Sequence, residues 1–125
     1  MDRKYALTAF GYAILGVILG IYMAKTHNHS QLPTHAHIML LGFVTSFIYA
    51  VAYKLWITET SCKKLAAAQF WTHQIGTPGL TIGLFLLYGQ FATIETVGPI
   101  LGIFSLIILT SFILMKVLFI KSKPA

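Results

Sequence analysis

Imidazole is the one reactive group that this chain concentrates. Four of its five histidines fall within eleven residues, in the run His27-Asn28-His29-Ser30-Gln31-Leu32-Pro33-Thr34-His35-Ala36-His37. Neutral imidazole is the commonest protein ligand for transition metals and haem iron. His35 and His37 stand where a long apolar run begins, so both lie in the first turn of a helix. Residues two apart on a helix point about 200° apart, so the two rings cannot grip one ion and must serve different faces. The face of His35 continues through Met39, Gly42, Ser46, Tyr49 and Tyr53, small and polar enough for a bundle interior. The face of His37 continues through Leu41, Val44, Ile48 and Leu55. It is apolar and suits lipid, a neighbouring subunit or a flat hydrophobic cofactor such as haem. The alternative is a pair of interfacial histidines that bond to lipid headgroups and helix ends.

His27 and His29 form a second His-x-His pair, in a loop. Loop imidazoles bind copper or zinc, and they are equally ordinary in a solvated polar loop. His73 lies within a later apolar run, in Gln69-Phe70-Trp71-Thr72-His73-Gln74. A polar residue at that depth is either a cofactor-binding group or one end of an interhelical hydrogen bond. Counted along the helices, His73 and His37 differ in depth by about 15 Å, too far to ligate one iron within one subunit. Asp2, Glu59 and Glu95 all sit at helix ends or in loops, so the buried carboxylates of an ion pump are missing. The single Cys62 excludes an intrachain disulfide and any Cys-x-x-Cys site.

The elements that position these histidines follow from composition. The 125 residues are 57% hydrophobic and 10% charged, with a mean hydropathy of +0.78. A soluble domain this short cannot hide so much apolar surface, so lipid is the expected solvent. Four runs, about 5–24, 35–57, 66–88 and 97–119, are long enough to cross a ~30 Å hydrocarbon core. Backbone groups in lipid must pair within their own segment, so each run is a helix. Short connections make neighbours antiparallel, and the expected fold is a single all-α, up-down-up-down bundle of four transmembrane helices. Pro33 precedes Thr34, which is the expected cap of the second helix. Arg3, Lys4, Lys54, Lys63, Lys64, Lys116, Lys121 and Lys123 fall on one side and only Lys25 on the other, which puts both termini in the cytoplasm. This asymmetry accounts for the net charge of +6 without nucleic acid. The first run is too long for a signal sequence and is read as retained. Tyr5, Tyr22, Trp56, Trp71 and Tyr88 lie near run ends, as interfacial anchors do. Gly16 and Gly20, Gly79 and Gly83, and Gly98 and Gly102 form three small-xxx-small pairs, for packing within or between subunits.

The stretch Thr34-His35-Ala36-His37-Ile38-Met39-Leu40-Leu41-Gly42-Phe43 resembles the histidine-bearing helices of the haem-copper oxidase catalytic subunit superfamily. It looks most like the short, four-span, subunit-I-like members found in bacteria, and also like the His-x-His helix of a membrane haem-copper family linked to nitric-oxide stress. The likeness is strongest over residues 33–56. It implies residence in a bacterial plasma membrane and a haem-binding redox or gas-binding role. By this resemblance His35 and His37 become axial ligands to haem b, and His73 stays a cofactor-binding candidate on its depth alone. The family's catalytic subunit has three arcs of four helices, and this chain supplies one. The copper site, copper entry domain and proton-channel acids have no counterpart, so a complete oxidase is not implied. Three copies would rebuild the family's outline, which makes a homotrimer the expected assembly, with a dimer as runner-up. In its boldest form each haem sits between neighbours, on His35 of one chain and His37 of the next. The alternative to haem is a copper-handling or oxidase-assembly factor that uses His27 and His29. No redox partner is legible.

Overall fold

The computed structural model describes residues 1–57 and 62–122. Glu59, Lys123 and the middle of the second connection lie outside them. The described chain is all-α and consists of four helices: α1 (Asp2–Thr26), α2 (Leu32–Leu55), α3 (Lys63–Tyr88) and α4 (Ile94–Lys121). α1, α3 and α4 exceed their apolar runs by a few residues, because helical hydrogen bonding continues into the polar flanks, whereas α2 starts three residues before its run and ends two residues short of it. Three of the four, α1, α2 and α4, are long and apolar enough to cross a membrane. The 26-residue α3 is long enough, but Gln69, Thr72, His73, Gln74 and Thr77 interrupt its apolar character.

Consecutive helices meet in opposite chain directions. In the α1–α2 seam Tyr5 lies beside Tyr53, Tyr12 faces Gly42, Gly16 faces Met39 and Gly20 faces His35. In the α3–α4 seam Gly76 faces Ile108, Gly79 faces Phe104 and Gly83 faces Leu101. Two of the three glycine pairs therefore serve packing within the chain. The third does not: a Cβ on Gly102 would meet nothing within 4 Å, and one on Gly98 only Ile94 of its own helix. Apolar side chains such as Ile14, Leu106, Leu109 and Ile120 are exposed around the outside, as expected where the surrounding solvent is hydrocarbon.

The second helix departs from the expected straight α-helix. Ile38–Val44 is a seven-residue π segment between α-helical Leu32–His37 and Thr45–Leu55. Thr34 and Ser46, twelve residues apart, would stand about 120° apart on a regular helix. The wider turns of the π segment take up the difference, and both side chains are buried. The start of the helix also differs from expectation. Gln31, not Thr34, occupies the N-cap position, and Pro33 sits in the first turn, where a missing N–H costs nothing. Thr34 instead donates its hydroxyl to Gln31 Oε1 at 2.6 Å.

The glycine contacts predict an asymmetry. A side chain at Gly42 would start 2.5 Å from the Tyr12 ring. Gly42→Leu should lower the stability in detergent by about 1–3 kcal/mol, whereas Gly102→Leu should stay within about 0.5 kcal/mol of the parent, as read from thermal or denaturant unfolding.

Candidate functional site

α2 begins close to the end of α1, and the histidine pair sits on its first turn. His37 is exposed, and its Nδ1 lies 2.8 Å from the Pro33 carbonyl oxygen one turn back. A carbonyl only accepts, so Nδ1 carries the proton and the neutral ring keeps its lone pair on Nε2. The hydrogen bond also fixes the ring, as outer hydrogen bonds fix histidine ligands at metal sites. His35 is half-buried and takes the other side of the helix. Its Nε2 is 3.1 Å from where a Cβ of Gly20 would lie, so the ring is directed into the α1–α2 seam. The two rings thus serve two faces. The donor of His35 is aimed at the backbone of its own α1, and that of His37 is aimed away from the bundle.

His27 closes α1 in the left-handed conformation, with φ 53° and its N–H on Met23 O. Both His27 and His29 are exposed. Among the described residues no three His, Cys, Asp or Glu side chains converge to hold an ion.

His73 is fully buried. Its Nε2 lies 2.8 Å from the Ser46 hydroxyl of α2 and its Nδ1 3.4 Å from the Thr77 hydroxyl. The rings of Tyr5 and Tyr49 flank it at 5.6 and 5.2 Å between centroids. Both ring nitrogens therefore face hydroxyls of the chain. Ser46 stands nine residues beyond His37, about 13 Å further along the helix, so His73 does not join the outer pair.

Below His73 lies a knot of polar groups. The hydroxyls of Tyr5 and Tyr53 both donate to Gln69 Oε1, at 2.7 and 2.9 Å, and so tie α1 and α2 to α3. Gln74 Nε2 adds a bond to Thr8 Oγ1 at 3.0 Å. At the opposite end Gln31 Nε2 donates to Phe85 O at 2.9 Å. The sequence signal for the knot was the recurrence of Gln69 and His73 on one face of α3, opposite Tyr49 and Tyr53 on α2. Among the described residues three buried polar atoms of this interior have no protein partner: Tyr49 Oη, Gln69 Nε2 and Ser111 Oγ.

Chemically the arrangement separates into two parts. The interior is a hydrogen-bonded core with its histidine occupied, and the rim carries one oriented nitrogen donor, His37 Nε2. The core predicts that Gln69→Leu, which strands the Tyr53 hydroxyl and leaves Tyr5 only the main-chain carbonyl of residue 69 at 3.4 Å, destabilises by about 1–2 kcal/mol. The triple variant Tyr5→Phe, Tyr53→Phe, Gln69→Leu strands neither and should recover most of that loss in the same unfolding assay. Comparison of the chain with protein-family models, with curated proteins and with solved structures returns no match.

Proposed function

We propose that this chain is a haem-binding integral membrane protein, with all four helices spanning the bilayer up-down-up-down and both termini in the cytoplasm. The observation that carries the haem reading is the His37 ring: tautomer fixed by Pro33 O, Nε2 free, exposed at the outer end of an apolar helix. The test of fit is whether the donor set suits a macrocycle. A haem needs one such imidazole, approached from outside, with apolar side chains against the ring. Leu40, Val44 and Ile48, exposed along the same helix, supply the apolar surroundings, while Leu41, expected on this face, packs inward against Leu80, Leu84 and Ile108. His37 is therefore the residue of a single chain that would hold the haem iron. His35, directed at Gly20, joins only if α1 yields.

Bound haem b would supply one-electron redox chemistry or reversible binding of a diatomic gas. The residues of the chain have simpler tasks. His37 donates its lone pair, Pro33 O keeps the ring oriented and raises its basicity, and the apolar rim excludes water. His73 and its hydroxyl partners hold the helices together beneath. The assembly that belongs to this reading is a homotrimer in a bacterial plasma membrane. It would bring the outward face of His37 against a neighbouring copy.

A visible spectrum of detergent-purified protein decides the cofactor. A Soret band is expected in the parent and in His73→Ala and His27→Ala, with loss of most of it in His37→Ala. Colourless protein after haem supplementation overturns the proposal. Orientation is read separately through the only thiol. A membrane-impermeant maleimide should label Cys62 in inverted vesicles and not in intact cells, and labelling in intact cells would reverse the topology.

A further inference from the structure

α1 and α3 are joined near the chain termini by the Tyr5–Gln69 and Gln74–Thr8 hydrogen bonds. Towards their C-terminal ends they part, and a cavity of about 660 Å³ opens between them. That volume lies within the range of about 300–1,000 Å³ typical of small-molecule sites. Its walls change character along the helix axis. The deeper part is hydrocarbon, from Leu15, Ile18 and Leu19 of α1. The rim is polar without charge: the amides of Asn28, Gln31 and Gln90 and the Ser30 hydroxyl. Leu15 and Ile18 are both more than half exposed, so the cavity opens sideways along α1 as well as at its end.

Two features show that the rim is built. Gly89 has no side chain where a Cβ would lie 2.9 Å from Gln31 Nε2, which lets that amide reach Phe85 O. Gln90 follows with φ 62°, a left-handed conformation that costs a non-glycine residue about 1 kcal/mol, and it lines the cavity. Anionic lipid headgroups find no cation in the lining, and a charged head of either sign would be desolvated without a counter-ion. The Gln31 amide is already engaged, donating to Phe85 O and accepting from Thr34, and Asn28 Oδ1 accepts from the Ser30 N–H. An uncharged head that gives and takes hydrogen bonds matches the exposed Gln90 amide, the Asn28 amino group and the Ser30 hydroxyl, while its chain matches the leucines and Ile18.

We propose that this cleft binds an uncharged, hydroxyl-headed lipid that enters sideways from the bilayer. Its head lies against the Asn28–Gln31 loop and its hydrocarbon along α1. A glyceride and an isoprenoid alcohol share this chemistry. The inference rests on the membrane placement proposed above and is independent of haem.

The test uses the full chain in phosphatidylcholine nanodiscs, with dioctanoylglycerol, farnesol and dioctanoyl phosphatidic acid as probes. Retention is read by native mass spectrometry and binding by the concentration-dependent rise in melting temperature. Dioctanoylglycerol or farnesol, or both, should bind at one per chain, and whichever binds identifies the source. Phosphatidic acid with the same acyl chains should bind at least about tenfold more weakly. Leu19→Trp fills the cleft and should lower neutral-lipid binding by about tenfold or more. Gln90→Leu, at the exposed rim, should weaken it in the same direction and serves if Leu19→Trp does not fold. Equal binding of neutral and anionic probes, binding of none, or unchanged binding in a folded variant overturns the proposal. Release of the native protein from membranes by alkaline carbonate would instead overturn the membrane placement itself.

Discussion

One carbonyl oxygen, that of the Gln69 side chain, accepts from Tyr5 on α1 and Tyr53 on α2 while it rides on α3. In a hydrocarbon solvent, helices gain nothing from hiding apolar surface from one another, because lipid is as apolar as leucine. Association then depends on close packing and on polar groups with nowhere else to go. Gln69 meets both conditions, since it is fully buried and sits where three helices converge. The tyrosine stack, the placement of His73 against Tyr5 and Tyr49, and the closed end of the bundle all follow from it. At the opposite end, among the described residues, the Gln31–Phe85 bond is the side-chain hydrogen bond between helices, and there α1 and α3 stand apart.

The same residue type serves two ends of this design. His73 is enclosed by hydroxyls, so its lone pair and its proton are both used inside the chain. His37 is turned outward and has used only its Nδ1. Each ring has an Nδ1 partner one turn away, the Pro33 carbonyl for His37 and the Thr77 hydroxyl for His73. The difference lies at Nε2, which for His73 meets the Ser46 hydroxyl of another helix. A partner across the bundle is what separates this packing histidine from one that has a donor to offer.

Much of this was legible in the sequence. The four helices fall on the four apolar runs, and the buried face of α2 follows from its small and polar residues: Gly42, Ser46, Tyr49 and Tyr53 are all inward. The opposite placement of His35 and His37 follows from helical geometry alone. Tyr5 was misread: proximity to a run end suggested an interfacial anchor, but it is fully buried, because Gln69 reaches it from α3. Tyr22, Trp56, Trp71 and Tyr88 are exposed, as anchors would be. Thr34 was read as a cap because capping is a local rule, whereas its actual partner depends on how Gln31 enters the helix. The uneven roles of the three glycine pairs depend on which helix passes nearby, and no local pattern records that.

The π segment of α2 has a consequence for how this sequence can drift. A π turn holds one residue more than its α-helical counterpart, and ordinary hydrogen bonding is recovered when that residue is removed. A one-residue deletion between Ile38 and Val44 would therefore leave the helix intact, where in most helices such a loss is merely disruptive. Thr34 and Ser46 would then stand eleven positions apart on a regular helix, within about 20° of one face. His35 and His37 would therefore keep their azimuths relative to the core beyond Thr45. The segment is a place where the helix gains or loses a residue without turning the histidines it carries.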